Sequence, residues 1–197
     1  MKKLNLDGLD SVIFVIMRRK YFFGPLIILL FAFGYGDTGS NELPQWISFE
    51  DAVVNMESQP KKIFIDVYTD WCGWCKKMDA GTFSDPAVAE MLNSNFYPVK
   101  FNAEQTEPIV FRDYTFKFVP NGRRGYHELA ASILNGKLSY PSVVFLNDKF
   151  EIIQVLPGYR NAEDFLKIAT YIGEDHYLDT SWEDFQLTYS AKTDMGE

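Results

Sequence analysis

The only two cysteines of this 197-residue chain are separated by two residues, in the segment Trp71-Cys72-Gly73-Trp74-Cys75. The segment follows the apolar run Ile63 to Tyr68, which predicts a buried strand that leads into a helix. At such a junction Cys72 lies at the helix N-terminus, where the helix dipole and the free backbone N–H groups stabilise a thiolate. The spacing and the position therefore predict dithiol–disulfide chemistry.

A pair of cysteines at this spacing has other common roles. Structural zinc is almost always four-coordinate, and only His127 and His176 could complete a ligand set with the two cysteines. A disulfide that only stabilises the fold is disfavoured, because so short a loop removes little entropy from the unfolded chain. Redox chemistry is favoured over both. Outside enzymes, the alternative is a binding or metal-delivery module that holds a soft ion such as Cu(I).

Two segments of the chain resemble the thioredoxin superfamily. Phe64 to Met78 is similar to its active-site segment and carries an acid, Asp66, ahead of Cys72. Ser139 to Leu146 is similar to its cis-proline segment, and the two segments lie in the expected order. The resemblance covers approximately Trp46 to Ile172. It implies an α/β, thioredoxin-like fold with a central mixed sheet flanked by helices, and the activity of a thiol–disulfide oxidoreductase.

The two cysteines are expected to have different roles. Cys72, at the helix N-terminus and with an exposed flank, would attack a substrate disulfide, whereas Cys75 would be shielded and would resolve the mixed disulfide. The dipeptide Gly73-Trp74 replaces the Gly-Pro of thioredoxin proper and places no cation between the thiols. The Cys72 thiolate therefore gains less stabilisation than in strongly oxidising relatives, which predicts a reductant. A dithiol oxidase is the alternative among enzymes.

Four further residues are predicted to bind the substrate. The resemblance implies a cis peptide bond between Tyr140 and Pro141, which would offer the N–H and C=O of Tyr140 to an extended polypeptide. Trp71 and Trp74 flank Cys72 and would contact the same polypeptide.

Asp66 is the one charged residue within the predicted strand Ile63 to Tyr68. Burial in a strand that helices cover on both faces should raise its pKa, which would make it a proton acceptor near neutral pH. The resemblance places Asp66 behind the dithiol, where it would take the Cys75 proton, and matches Lys100 to the lysine that neighbours this acid. The alternatives are an acid that reaches water at a strand end and a solvated strand lysine.

Hydrophobic periodicity and capping signals predict the elements that position these residues. Six helices are predicted. The first begins after Ser48, the second runs from the dithiol to about Gly81, and the third begins at Ser84-Asp85-Pro86. The fourth covers about 128–134, the fifth extends from Asn161 to Gly173, and the sixth begins after Ser181. The predicted strands are 63–68, 96–102, 142–146 and 151–156.

A long insertion separates the two halves that resemble thioredoxin. The stretch Ile109 to Val119, with Arg112-Asp113 in its middle, predicts a β-hairpin before the second core helix. The stretch Asn121 to Gly125 predicts a loop. Arg123, Arg124, Tyr126 and His127 could contact a substrate, although a solvated basic loop is favoured because exposed charges usually contribute little.

Composition and charge limit the partners. With 47% apolar and 16% aromatic residues, the chain can bury one sizeable core, and its length favours one domain with appendages. The net charge of −8 argues against nucleic acid or an anionic membrane surface, because both require a basic surface. Disulfides of other proteins remain as substrates, and no cofactor is predicted. Reduction outside the cytoplasm would also require a membrane electron donor.

The N-terminal segment predicts export. Arg18-Arg19-Lys20 precede the apolar run Tyr21 to Phe33 and the small and polar residues Gly34 to Ser40, a pattern typical of a secretory signal. The run is shorter than the roughly 18 apolar residues of a spanning helix, so a cleaved signal is favoured over a retained membrane anchor. Met17 is an alternative to Met1 as the start. A bacterial periplasm or exterior is the predicted location.

Three parts are therefore predicted. Residues 1–41 form the signal or anchor segment and a linker, and residues 42–173 form the thioredoxin-like domain. Residues 174–197 form a C-terminal extension with a short helix, in which Trp182 and Phe185 pack inward.

Overall fold

The computed structural model describes residues 43–195, which form six α-helices and eight β-strands. The helices are α1 (Phe49–Ser58), α2 (Gly73–Gly81), α3 (Pro86–Asn95), α4 (Glu128–Ile133), α5 (Ala162–Gly173) and α6 (Trp182–Met195). The strands are β1 (Lys62–Tyr68), β2 (Phe96–Asn102), β3 (Ile109–Phe111), β4 (Tyr114–Phe116), β5 (Phe118–Asn121), β6 (Arg124–His127), β7 (Ser142–Leu146) and β8 (Ile152–Pro157).

The predicted signal or anchor segment lies outside the described residues, so the segment and the three-part division of the chain stay predictions. Within 43–195, none of the helices combines the length and the apolar character needed to cross a membrane.

Four strands form the central mixed sheet, in the order β2-β1-β7-β8. Strand β1 runs parallel to β2 and antiparallel to β7, and β7 pairs antiparallel with β8. The connection from β1 to its parallel neighbour β2 passes through α2 and α3, because parallel strands need a crossover. The predicted mixed sheet is confirmed.

The two faces of the sheet bury separate hydrophobic clusters, because successive side chains of a strand point to opposite faces. Ile63, Ile65 and Val67 of β1 belong to the cluster that also contains residues of α1 and α4. Phe64 belongs to the other cluster, with residues of α2, α3 and α5. Asp66, two residues after Phe64, shares its face. The alternation therefore directs the carboxylate of Asp66 toward the helix that carries the cysteines.

Capping side chains begin the helices at the predicted places. Ser48, Asp85, Asn161 and Ser181 each accept a hydrogen bond from a backbone N–H in the first turn of the helix that follows. Each bond satisfies one of the N–H groups that a helix start leaves free, and such a cap contributes about 1 kcal/mol.

The segment between β2 and α4 forms two hairpins, where the sequence predicts one hairpin and a loop. Strands β3 and β4 pair around Arg112-Asp113, as predicted. The predicted loop Asn121 to Gly125 was wrong, because Asn121 pairs with Arg124 at the tip of a second hairpin made by β5 and β6. Gly122 in this turn has a φ of +62°, a conformation that favours glycine. Glycine at the first position of a two-residue turn, here Gly122-Arg123, is itself a hairpin signal.

The C-terminal helix packs on α5. The ring of Tyr171 in α5 lies 5.1 Å from Trp182 and 5.0 Å from Phe185, centroid to centroid. Phe185 is buried, so the predicted inward packing is confirmed. At 14 residues the helix is longer than predicted.

Candidate active site

Cys72 and Cys75 form a disulfide at the start of α2. Cys72 is the N-cap residue of this helix, and its Sγ accepts a hydrogen bond from the backbone N–H of Cys75 at 3.1 Å. The predicted position at the helix N-terminus is confirmed. In the reduced protein the same N–H and the positive end of the helix dipole favour a thiolate at Cys72.

The predicted difference in exposure between the two cysteines was wrong for the disulfide form. Cys72 is 4% exposed and Cys75 is 3% exposed. The disulfide bond holds the two sulfur atoms against each other, so each covers part of the other. The flanking Trp71 and Trp74 are 51% and 57% exposed. The accessible surface at the site is therefore aromatic, and Cys72 is distinguished from Cys75 by its position as helix cap.

Asp66 is buried in β1, with 1% of its surface exposed. Desolvation raises its pKa from 3.8 to about 6, although the neighbouring Lys100 opposes the rise. Its Oδ1 is buried and has no hydrogen-bond partner among residues 43–195. The predicted burial and the predicted rise of the pKa are confirmed, and the role of Asp66 in proton transfer stays a prediction.

Lys100 joins Asp66 to a second carboxylate. Its Nζ lies 2.5 Å from Asp66 Oδ2 and also donates a hydrogen bond to Asp79 Oδ1. Burial works against the charged form of Lys100, but the two carboxylates outweigh it and raise the pKa of the ammonium group. Lys100 is therefore the partner of Asp66 that the resemblance implies, and the alternative of a solvated lysine was wrong.

Asp79 was missed by the sequence analysis. It lies in α2 four residues after Cys75, and residues at this spacing share a helix face. That spacing is the signal that could have found it. The Asp79 side chain is 43% exposed and the Lys100 side chain is 22% exposed, whereas Asp66 is 2% exposed. The three charged groups thus form a chain of contacts from a buried carboxylate to solvent.

Three aromatic rings surround the ammonium group of Lys100. Its Nζ lies 5.0 Å from the ring centroids of Trp46 and Tyr68 and 5.5 Å from that of Phe83. Rings at these distances attract a cation through their quadrupoles. They help to hold Lys100 in place between the two carboxylates.

Tyr140 and Pro141 are joined by a cis peptide bond, as the resemblance implies. The ring of Tyr140 meets the ring of Trp71 edge to face, with centroids 6.0 Å apart. Burial, together with the nearby Glu104, raises the pKa of Tyr140 to about 12, so its phenol is neutral at physiological pH. Within the described range, no residue forms a hydrogen bond with the backbone N–H or C=O of Tyr140.

Trp71 is held between two charged side chains. Its Nε1 donates a hydrogen bond to Glu104 Oε2 at 3.0 Å. The guanidinium carbon of Arg124, from β6, lies 4.1 Å from the Trp71 ring centroid. Arg124 is exposed, as the favoured interpretation of a solvated basic residue predicts, but it lies in a strand and not in a loop, and it contacts the tryptophan beside Cys72.

Trp74 has a comparable environment to that of Trp71. Its ring lies 5.4 Å from the ring of Tyr159. The Nζ of Lys77 lies 4.8 Å from the Trp74 centroid and 5.1 Å from the Tyr159 centroid. Trp71 and Trp74 are thus each accompanied by one cation and one tyrosine.

His127 has a structural role. It is buried, and its Nδ1 accepts a hydrogen bond from the N–H of Leu129 at the start of α4. Its Nε2 lies 3.1 Å from the carbonyl oxygen of Glu107. Both ring nitrogens are engaged, so His127 has no nitrogen left to complete a zinc site with the cysteines.

Comparison with known sequences identifies a family. Thioredox_DsbH, described as "Protein of unknown function, DUF255", matches residues 38–153. A stretch of 34 residues is 47% identical to the "Thiol:disulfide interchange protein DsbD" of Haemophilus ducreyi. That match covers 17% of this chain and 6% of the relative, so the chain spans a small part of the length of the relative.

Solved structures show the same fold. A thioredoxin-fold protein from Helicobacter pylori superposes with a TM-score of 0.51 at 20% identity, over 67% of this chain and 81% of the other. A thioredoxin from Thermus thermophilus superposes with a TM-score of 0.50 at 21% identity, over 66% and 88% of the two chains. The predicted thioredoxin-like fold is confirmed. The match to the family and the Cys72–Cys75 pair together support thiol–disulfide oxidoreductase chemistry.

Proposed function

This chain belongs to the Thioredox_DsbH family of thioredoxin-like proteins, and from that premise we propose that it reduces disulfide bonds of exported proteins. The observation that carries the proposal is the position of the cysteine pair. Cys72 caps α2 and accepts the N–H of Cys75, an arrangement that favours a thiolate at Cys72. The thiolate is the form that attacks disulfides.

The proposed reaction has two exchange steps. The Cys72 thiolate attacks one sulfur of a substrate disulfide, the substrate S–S bond breaks, and one substrate thiolate leaves. Cys75 then loses its proton and attacks the Cys72 sulfur in the mixed disulfide. This step forms the Cys72–Cys75 disulfide and releases the second substrate thiolate. Two electrons pass from the protein to the substrate.

Asp66 is proposed to accept the Cys75 proton, through a water molecule. A carboxyl whose pKa is near 6 is largely ionised at neutral pH and still basic enough to take a proton. Its buried Oδ1 has no hydrogen-bond partner among the described residues and so has an acceptor position left. Lys100 and Asp79 connect the carboxyl to solvent, which gives the proton a way out.

The substrate is proposed to bind as an extended polypeptide beside Tyr140. The N–H and C=O of Tyr140 are unpaired within the described range, so they can pair with a polypeptide as a short added strand. Trp71 and Trp74 present half-exposed rings on the two flanks of the disulfide. They would cover the substrate on both sides of its reacting cysteine.

The direction of transfer is proposed to be reductive. No histidine or other cation stands between the thiols, so the Cys72 thiolate, and with it the reduced form, is less stabilised than in a strong oxidant. A reductant outside the cytoplasm needs electrons from across the membrane, so we include a membrane electron donor in the proposal. The predicted N-terminal signal supports a periplasmic or other extracytoplasmic location.

Trapping of mixed disulfides tests the reaction and the roles of the cysteines. Without its resolving thiol, Cys75→Ala should stay covalently joined to substrates through Cys72, and the adducts should appear on non-reducing gels. Cys72→Ala is the matched control and should trap almost nothing. Equal trapping by the two variants would overturn the assignment of Cys72 as the attacking cysteine and Cys75 as the resolving cysteine. If neither variant forms adducts, and the wild-type protein fails to catalyse insulin reduction by dithiothreitol, a binding or metal-delivery module is favoured instead.

The direction is tested separately by equilibrium with glutathione. We expect a potential well below that of strong oxidants, for which about −120 mV is typical. A value that high would identify a dithiol oxidase.

A further inference from the structure

A groove of about 280 Å³ opens beside the side chain of Trp71, the residue that precedes Cys72. We call it the Trp71 groove, and its main lining residues are Trp71, Glu104, Arg124, Tyr126, Leu138 and Tyr140. We propose that the Trp71 groove binds an acidic side chain next to the reacting cysteine of the substrate, so that the protein prefers disulfides with carboxylate neighbours. The inference rests on the proposed function, and it assigns the substrate class of the same site.

The position of the groove brings it to the neighbours of a reacting cysteine. Trp71 directly precedes Cys72, and Tyr140 directly precedes Pro141. Neighbouring residues of an extended polypeptide are only about 3.3 Å apart along the chain. A polypeptide that pairs with Tyr140 and presents its cysteine to Cys72 therefore places an adjacent side chain within reach of the groove.

Arg124 supplies the binding group for a carboxylate. Its guanidinium lies over the Trp71 ring, and among residues 43–195 it forms no ion pair and donates no hydrogen bond. A guanidinium that lies against an aromatic ring keeps N–H donors available in its own plane. Those donors match the two oxygens of a carboxylate and form charge-assisted hydrogen bonds with them.

Glu104 is the opposing charge in the groove, and it is already engaged. One of its oxygens accepts the Trp71 Nε1–H at 3.0 Å. Arg124 has no such partner in the described part of the chain, and the neighbouring Arg123 does not line the groove. The hydrogen bond leaves the negative charge of Glu104 in place, so the formal charges of Glu104 and Arg124 balance, and Arg124 offers the free donors for a carboxylate. A carboxylate beside the reacting cysteine therefore finds free donors at Arg124, although the chain as a whole has a net charge of −8.

The test uses the full chain with Cys75→Ala, in reduced form, and three symmetrical disulfide-linked peptide dimers. The dimers are identical except for Glu, Gln or Lys next to the cysteine. The Cys72 thiolate breaks the S–S bond of the dimer, forms a Cys72–peptide disulfide and releases one peptide thiolate. Mass spectrometry gives the rate of adduct formation. Each rate is divided by the rate of the same dimer with 2-mercaptoethanol, a thiol without other charged groups, which removes the effect of the neighbouring charge on the peptide thiol itself.

We expect the Glu peptide to react about three- to tenfold faster than the Lys peptide, the range for a partly exposed charge pair. Adding Arg124→Glu should reverse the order, and Arg124→Gln should abolish it. Arg123→Glu is the matched control, because it makes the same charge change one residue away on a side chain that does not line the groove. It should leave the order unchanged.

Each outcome separates the inference from the proposed function. Equal rates for the Glu and Lys peptides, a preference for Lys, or an equal effect of Arg123→Glu would overturn the inference and leave the oxidoreductase proposal intact. If none of the peptides forms an adduct, the proposed function itself is overturned. Far-UV circular dichroism of each variant identifies any that fails to fold. If Arg124→Glu does not fold, the loss of the preference for Glu in Arg124→Gln, the milder change, tests the inference.

Discussion

Lys100 Nζ donates a hydrogen bond to Asp66 Oδ2 at 2.5 Å, whereas the other oxygen of this buried carboxylate has no hydrogen-bond partner among residues 43–195. One oxygen is thus paired with a cation and the other is desolvated without compensation. Desolvation exceeds the effect of the cation, so the pKa of Asp66 rises to about 6. The ionised form of Asp66 therefore costs folding free energy, and the carboxylate readily accepts a proton.

Asp66→Asn should stabilise the fold above pH 6 and have a much smaller effect near pH 4. The folded protein holds the Asp66 proton between pH 3.8 and about 6, whereas the unfolded chain has lost it, so stability falls as pH rises through this window. The stability lost on ionisation of Asp66 amounts to about 3 kcal/mol at neutral pH, a value that already includes the opposing effect of Lys100. Denaturant unfolding at pH 4 and pH 8 measures it.

Glu90→Gln is the control for this measurement, because Glu90 is an exposed acid on α3. It should change stability little at either pH, since exposed substitutions away from special features usually do. A gain for Asp66→Asn that is the same at pH 4 and pH 8 would contradict the buried-charge explanation.

Asp66→Asn should also slow the attack of Cys75 on the mixed disulfide. In the wild-type protein the rate of this step should fall as pH drops through about 6, because a protonated Asp66 can no longer accept the Cys75 proton. The variant should be slower at neutral pH and should lack this inflection. Stopped-flow measurement of resolution between pH 5 and 9 tests both features. If wild type and variant give the same profile, Asp66 has a structural role only.

Lys100→Met and Asp79→Asn should move the inflection of the resolution rate in opposite directions. The Lys100 cation lowers the pKa of Asp66, so its removal should shift the inflection upward, by about one to three pH units for a partner this close. The Asp79 charge raises the pKa of Asp66, so its removal should shift the inflection downward. The second shift should be smaller, because Asp79 is nearly half exposed. An inflection that does not move downward in Asp79→Asn would contradict the predicted effect of the Asp79 charge on the pKa of Asp66.

The sequence predicted the central sheet well because its strands carry a strong local signal. Strands β1 and β2 were predicted at 63–68 and 96–102 and lie at Lys62–Tyr68 and Phe96–Asn102. Strand β1 is buried on both faces, so its apolar run is nearly continuous. The second hairpin escaped prediction because β5 and β6 are half-exposed and short, and they mix charged residues with apolar ones.

The site was predictable where its residues are close to the cysteines in the chain. Cys72, Cys75 and Asp66 lie within one strand–helix junction, so their spacing alone indicates shared chemistry. Arg124 lies far from Trp71 in the sequence and reaches it only because β5 and β6 fold back toward the active site. Such a contact depends on tertiary structure, and no local pattern in the sequence reports it.

Gly125 of β6 should tolerate no larger residue, because a Cβ at this position would overlap the ring of Phe118 and the carbonyl oxygen of Val119. Gly125→Ala should therefore displace the hairpin and destabilise the protein by about 1–3 kcal/mol, the usual cost of overpacking. Denaturant unfolding measures the loss. Because Gly125 also lines the Trp71 groove next to Arg124, the variant should lose the preference for the Glu peptide as well.

Gly81→Ala is the matched control for Gly125→Ala, since a Cβ at position 81 would meet no heavy atom within 4 Å. Its effect should be neutral or stabilising by up to about 1 kcal/mol, because alanine reduces the entropy of the unfolded chain. Equal stabilities of the two variants would mean that the hairpin accommodates the added methyl group without cost. If Gly125→Ala is destabilised but still prefers the Glu peptide, the displaced hairpin of β5 and β6 still holds Arg124 on Trp71, and the predicted loss of preference is wrong.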